Sequence, residues 1–340
     1  MTSSTLTVRP LTEADRPAAL ELIELSLAGG PTGHRSTEFF DWKHVANVFG
    51  PSLGLVATDD AGTLVGLRLF MRWRFEIAGR IVEAARPVDT ATHPDHRGRG
   101  IFRTLTMAAL EHLPAETLIF NTPNDQSRPG YLKMGWSVVG KLPVHVRVVR
   151  PVRFATRVAR SRAAIGTSGE AVDCSLPAVA GPLDDPGLPD LLTEVAGDPD
   201  VLNALATRRD PAFLHWRYAA APGLDYRAAT VHEGGRLVGL AIGRPRRRGG
   251  LSELTLSEVL VRPGDSRTAR RLLRAVSSSG CDHVATHSSV PAVRSALRSS
   301  GFLPVPRAGM VLTAFPRAPL PVDPCDAQSW RLSLGELEVF

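Results

Sequence analysis

The residues best placed to do chemistry lie in Asp89-Thr90-Ala91-Thr92-His93-Pro94-Asp95-His96-Arg97-Gly98-Arg99-Gly100-Ile101-Phe102. The segment reads as a strand, a glycine-bearing loop and the start of a helix. Such a junction leaves backbone N–H groups without partners at the positive end of the helix dipole. Glycines let an anion approach that backbone closely, which makes the loop a ready phosphate site. It lacks the third glycine of a dinucleotide-binding turn and the Gly-Lys-Ser/Thr of a nucleoside-triphosphate loop. Taken alone, Arg-Gly-Arg-Gly is equally a plain turn with solvated arginines. His93 and His96 would make half a metal site. With no third ligand in view they read as exposed loop histidines, and no metal is expected.

A second cluster follows in Asn124-Asp125-Gln126-Ser127-Arg128-Pro129-Gly130-Tyr131-Leu132-Lys133-Met134-Gly135-Trp136. The two segments, in this order, resemble the GNAT superfamily of N-acetyltransferases over residues 5–150. Arg97-Gly98-Arg99-Gly100-Ile101-Phe102 matches the first four positions of that family's Arg/Gln-x-x-Gly-x-Gly/Ala pyrophosphate loop. Phe102 departs at the last, where a small residue is common, and is expected to crowd the phosphate or reorient the helix start. Asn124, Ser127, Tyr131, Gly135 and Trp136 fall on the family's Asn-x-x-Ala, Tyr and Gly-aromatic spacing, with Ser for Ala and Trp for Phe. The resemblance implies that Thr90, Ala91 and Thr92 offer backbone groups to the pantetheine arm of acetyl-CoA or another acyl-CoA. It also implies that Tyr131 sits near the thioester sulfur, where its hydroxyl could protonate the leaving thiolate. The alternative for Tyr131 is a packing tyrosine at a helix start.

The family's chemistry is direct attack of a neutral amine on a thioester carbonyl. A base or water chain helps, because amines are mostly protonated at neutral pH. By resemblance the candidate base is Asp89, with Glu83 as runner-up; pointing outward or paired with Arg86, Asp89 would instead be structural. The oxyanion would be held by a backbone N–H of the splayed strand. Trp42, Lys43 and His44 either line the acceptor pocket or, as the repeat favours for Trp42, belong to the core.

That repeat organises the whole chain. Phe39-x-x-Trp42-Lys43 matches Phe213-x-x-Trp216-Arg217, and Leu64-Val65-Gly66-Leu67 recurs as Leu237-Val238-Gly239-Leu240. Thr92-His93-Pro94 finds Val261-Arg262-Pro263, and Met134-Gly135-Trp136 finds Ser300-Gly301-Phe302. Four matches in one order imply two copies of one fold. The expected fold class is α/β, with two GNAT-type domains, each a mixed, mostly antiparallel twisted sheet flanked by helices. Residues 1–150 form the cofactor domain, 151–189 a linker with a short basic helix at its start, and 190–340 a second copy. In that copy the loop reads Val261-Arg262-Pro263-Gly264-Asp265, so a carboxylate stands where phosphates would lie. The first copy should run strand, helix at 12–27, a break at Gly29-Gly30-Pro31, strands at 53–58, 64–75 and 80–92, helix at 101–113, strand at 117–120, helix at 130–134 and a strand at 138–149.

Composition narrows the function. The 340 residues carry a net charge of +6, but only three of the 40 basic residues are lysine and acids are interspersed. Aromatics do not interleave with the arginines, so nucleic acid is not an expected partner. Cys174, Cys281 and Cys325 show no metal-ligand spacing, and a sparse odd count suits a reducing cytoplasm. No leader-like or membrane-spanning run is visible. The expected partner is a small-molecule amine. Other readings are a donor carried by a carrier protein, an aminoacyl-tRNA donor, and a non-catalytic CoA-sensing module.

Overall fold

The computed structural model describes residues 6–26, 36–160, 172–248, 250–306 and 308–337. The Gly29-Gly30-Pro31 break and residues 161–171 lie outside them. The first half runs β1 (Thr7–Pro10), α1 (Arg16–Ser26), α2 (Thr37–His44), β2 (Leu53–Thr58), β3 (Leu64–Ile77), β4 (Arg80–Thr92), α3 (Ile101–His112), β5 (Leu118–Asn121), α4 (Arg128–Lys133), β6 (Ser137–Leu142), β7 (His145–Val148) and α5 (Pro151–Arg160). Then follow α6 (Ala180–Leu183), α7 (Leu188–Ala196), α8 (Pro199–Leu202), β8 (Leu205–Thr207), α9 (Pro211–Leu214), β9 (Arg227–Glu233), β10 (Arg236–Arg248) and β11 (Leu251–Val261). The chain ends its regular structure with α10 (Ser266–Ser277), β12 (His283–Thr286), α11 (Pro291–Ser299), β13 (Leu303–Pro304), β14 (Met310–Phe315), β15 (Trp330–Arg331) and α12 (Leu334–Leu337). The architecture is α/β, with mixed, mostly antiparallel sheets flanked by helices.

Two sheets form. One has the order β1-β2-β3-β4-β5-β14-β6, with β8 on β3 and β15 on β8; the other has β13-β7-β12-β11-β10-β9. Neither is drawn from one stretch of chain. β14, from the second half, lies between β5 and β6, while β7, from the first half, pairs with β12. The single strand expected over 138–149 is therefore two strands in different sheets. Pro143, which cannot donate to a ladder, marks the break.

The repeated Leu-Val-Gly-Leu has a packing reason. β3 and β10 lie under α3 and α10, whose buried faces are Ile101, Leu105 and Ala109 in one and Ala269, Leu272, Leu273 and Val276 in the other. A Cβ on Gly66 would collide with Ile101 Cγ2, and one on Gly239 would stand 2.6 Å from Thr268 Cγ2. Only glycine lets either helix sit that close to its sheet. The Phe-x-x-Trp repeat marks the seam between the halves. The rings of Trp42 and Trp216 stack at 5.4 Å, and each indole N–H donates to the other residue's carbonyl, at 2.6 and 2.9 Å. This reciprocal contact is what a two-fold-related pair of copies makes. It places Trp42 in the core, 6 % exposed.

Candidate functional site

β3 and β4 pair along their length except at one point. Leu67 faces Ala91 and Leu69 faces Val88, so Asp89 and Thr90 together oppose Arg68. This is a β-bulge, and Asp89 takes a positive φ of 43° there. A non-glycine residue in that region stores strain of about 1–3 kcal/mol and persists only where its surroundings hold it. The surroundings are visible. Lys43 Nζ lies 2.7 Å and His44 Nε2 2.8 Å from Asp89 Oδ2, all three side chains being 3 % exposed. His44 Nδ1 is in turn 2.9 Å from Ser52 Oγ. The carboxylate is thus engaged by α2, an element absent from the sequence reading. Glu83, the alternative acid, is exposed and pairs with Arg74 at 2.8 Å.

Beyond the bulge the sheet opens. β4 pairs with β5 only at Ala84–Leu118 and Ala85–Ile119, while β5 turns to β14. Residues 86–92 of β4 therefore run beside a wedge, which contains Thr90, Ala91 and Thr92. The Thr92 carbonyl accepts from Ser26 Oγ at 3.0 Å. At the closed end of the wedge Arg86, 1 % exposed, donates to Thr122 Oγ1 at 2.8 Å and to the carbonyls of Glu336 and Leu337. Burial and the neighbouring Arg217 lower its pKa to about 9.

At the mouth, Arg97 to Gly100 is exposed, and Gly98 and Gly100 both have φ of 78°. Gly100 is the N-cap of α3 and no side chain caps that helix, nor is there an acid in its first turn. A Cβ at either glycine would meet nothing within 4 Å. The N-terminus of α3 therefore carries no side-chain cap and no acid, and both glycines have room around them. Phe102 is not turned into that space. Its ring packs edge-on to Tyr131 at 5.3 Å, and Gly130 leaves it room, since a Cβ there would stand 3.0 Å from Phe102 Cε1. The expected crowding is thus replaced by a contact that seats α4 against α3. Asn124 Oδ1 accepts from Ser127 N at 2.8 Å and Ser127 Oγ at 2.9 Å, so these two side chains build the turn that starts α4.

Arg68 connects the two predicted segments and was missed in the sequence. It is fully buried, donates to Tyr131 Oη at 2.7 Å and to Thr90 Oγ1, and lies 5.0 and 5.2 Å over the Phe102 and Tyr131 rings. Arg68, flanked by Leu64-Val65-Gly66-Leu67 and Leu69-Phe70-Met71, was the available signal: an arginine inside an apolar run. Tyr131, Thr90 and Phe102 are thereby brought together around one guanidinium. Asp89 is adjacent in sequence, but its carboxylate serves α2.

The second half shows the same geometry closed. Its bulge lies between Ile242 and Gly243 on β10, opposite β11, with Glu258 close by. Tyr218 and Arg209 hold Glu258 at 2.9 and 3.1 Å. Burial and the Glu258 charge push the Tyr218 phenol well above its usual range, so it stays a donor. The segment at 332–334 then runs beside the chain just past β12: Ser289 N donates to Leu332 O at 2.9 Å and Leu334 N to His287 O at 3.0 Å. Gly335 sits against Glu258, where a Cβ would lie 2.7 Å from Oε1. At the helix mouth Asp265 Oδ1 accepts from Thr268 N at 2.9 Å and caps α10. Here the chain's own groups satisfy both the wedge and the helix N-terminus.

His93 and His96 face each other edge-on at 5.6 Å. Among the described residues no group of three or more His, Cys, Asp or Glu is placed to hold a metal, and no helix is long and apolar enough to cross a membrane.

The strand bulge, the wedge beyond it and the glycine-led helix all lie in the first half of the chain, where a family model also matches. Residues 7–139 match the family described as an acetyltransferase (GNAT) domain. No curated protein matches the sequence. Among solved structures, a GCN5-related N-acetyltransferase from Anabaena variabilis superposes with a TM-score of 0.63 at 14 % identity, covering 92 % of this chain and 73 % of that one. A conserved protein from Enterococcus faecalis, described as a probable N-acyltransferase, gives 0.62 at 12 % identity over 92 % and 72 %. Saccharomyces cerevisiae N-myristoyltransferase with bound myristoyl-CoA gives 0.54 at 9 % identity over 93 % and 83 %. At such identities the likeness is one of fold, and it extends over both sheets.

Proposed function

We propose that the protein is an acyl-CoA-dependent N-acyltransferase, acetyl-CoA being the first donor to try, acting on the primary amine of a small metabolite. The observation that carries this reading is the contrast between the two halves. Among the described residues no strand pairs with β4 beyond Ala85 on the β5 side and no side chain caps α3, whereas in the second half the wedge is filled by the 332–335 segment and the helix is capped by Asp265. The bound N-myristoyltransferase relative supports a CoA thioester as the donor class. Such a donor brings an acyl group already activated as a thioester. Arg97, Gly98, Arg99, Gly100, Ile101 and Phe102 would bind its diphosphate through the loop backbone and the α3 dipole. Thr90, Ala91 and Thr92 would line its arm, with Asn124 and Ser127 shaping the far wall.

Tyr131 is the proton donor in this reading. Its oxygen accepts from Arg68, which leaves its own hydrogen free to turn toward a leaving thiolate. Asp89 is engaged by Lys43 and His44, which favours a role in holding the bulge over one in removing the amine proton. The second half is read as a copy without a cofactor site that buttresses the first.

Calorimetry with acetyl-CoA tests the donor site. Wild type should bind in the micromolar range and Gly100→Glu, which sets bulk and negative charge in the cradle, should not. Arg97→Glu, which leaves the glycine conformations intact, should weaken binding as well. If wild type does not bind, a free CoA donor is ruled out and a carrier-bound phosphopantetheine becomes the donor to test. Thiol release against a panel of amines then reads turnover and separates an enzyme from a CoA sensor.

A further inference from the structure

Cys174 and Cys281 are far apart in sequence and adjacent in the fold. Residues 173–175 run past the turn between α10 and β12. Ser175 N donates to Ser279 O at 3.0 Å and Ser175 Oγ to Ser278 O at 3.2 Å. On the other side, a Cβ on Gly280 would lie 3.8 Å from Asp173 O. Cys174 is thus drawn beside Cys281. Both pack on the apolar cluster of the second sheet, Cys281 fully buried and Cys174 partly exposed. The neighbouring Cys281 thiol lowers the Cys174 thiol to about 7; burial opposes this, and the Leu176 N–H and Arg227 assist. The Cys174 thiol and burial push the Cys281 thiol up. An accessible, easily ionised thiol beside a buried, protonated one is the arrangement of an attacking and a resolving cysteine.

We propose that Cys174 and Cys281 are an oxidation-sensitive pair that hydroperoxides convert to a disulfide, tying the end of the inter-half segment to the second sheet. The Cys174 thiolate attacks the peroxide O–O bond, giving a sulfenic acid and releasing hydroxide, or an alkoxide from an organic peroxide. The Cys281 thiol then attacks that sulfur. An S–S bond forms, the S–O bond breaks, and the hydroxyl leaves as water with the Cys281 proton. Two thiols are oxidised and one peroxide is reduced. The bond closes a long loop, so it should raise resistance to unfolding. The tied segment also leads into Val179, whose N–H donates to Tyr226 O at 3.0 Å beside the Tyr218 ring. Cys325 lies outside this cluster and serves as an internal control.

The test uses the full chain and hydrogen peroxide, with free-thiol counts, intact mass and peptide mapping. The expected result is loss of two of the three thiols, a single peptide pair joining Cys174 to Cys281, and recovery with dithiothreitol. Cys174→Ala, at the partly exposed position, should lose thiols about tenfold more slowly. Cys281→Ala should halt at a sulfenic acid on Cys174 that dimedone traps. Oxidised wild type should melt above the reduced form, and oxidised Cys174→Ala should not. Retention of all three thiols, a link through Cys325, a link between chains, or equal oxidation rates in wild type and Cys174→Ala would overturn the proposal.

Discussion

Arg68, Asp89 and Tyr131 divide the labour at the bulge by which partners they meet. Arg68 satisfies Tyr131 and Thr90 inside the core. Asp89 answers a buried ammonium and an imidazole. These two commitments predict opposite phenotypes. Tyr131→Phe should fold normally and lower kcat by about 10²–10⁴ with little change in donor affinity. Asp89→Asn should strand the buried Lys43 charge and cost about 3–5 kcal/mol of stability by denaturant titration. Were Asp89 the base, its variant would keep its stability and lose kcat instead. The sequence pointed to both residues because their spacing follows a family pattern. It could not show that Asp89 is neutralised, since Lys43 and His44 arrive from a helix 45 residues or more away.

Among the elements, β3 with α3 and β10 with α10 show how one short phrase of sequence sets a packing distance. Leu-Val-Gly-Leu places a glycine where each helix crosses its sheet. Gly66→Ala should force Ile101 aside and cost about 1–3 kcal/mol, read as a lower denaturation midpoint. It should also disturb the α3 N-terminus, so acetyl-CoA binding should weaken in the same variant. The helices and strands around the loop were legible because their periodicity and glycine punctuation are local. α2 was not, because its eight residues bury Phe40, Trp42, Lys43 and His44 together, which obscures an amphipathic pattern. The 138–149 strand reads as one run by alternation, and only its two sets of partners show it to be two strands.

For the whole molecule, the exchange of β7 and β14 makes the two halves one folding unit in which each completes the other's sheet. The Trp42–Trp216 seam and the Arg86 contacts with the 336–337 carbonyls tie the open wedge to the closed one. Acid should weaken the closed half. Burial alone would disfavour the Glu253 anion, but His283, Arg246 and Arg248 outweigh it and hold the carboxyl well below its usual range. That group joins three neighbouring strands, β10, β11 and β12. A folded-state value below the unfolded one contributes stability that is complete above the unfolded value, about 4.3, and disappears as the pH falls toward the folded one. Denaturant midpoints of wild type should therefore drop as pH falls below about 4. Glu253→Gln should be weaker at neutral pH and flatter across that window.

The sequence by itself showed the glycine-bearing loop ahead of α3, the match of residues 7–139 to a GNAT domain, the short phrases repeated in the two halves and the different loop sequence at 261–265. Each of these rests on neighbouring residues: glycine conformation, helix-end chemistry and short spacing. Tertiary structure alone decided the rest. It placed Arg68 under Tyr131, seated Phe102 on α4, exchanged the strands, filled the second wedge with residues 332–335 and set Cys174 on Cys281. Those outcomes depend on contacts between distant segments. Burial and hydrogen-bond satisfaction select such contacts only when the chain closes on itself.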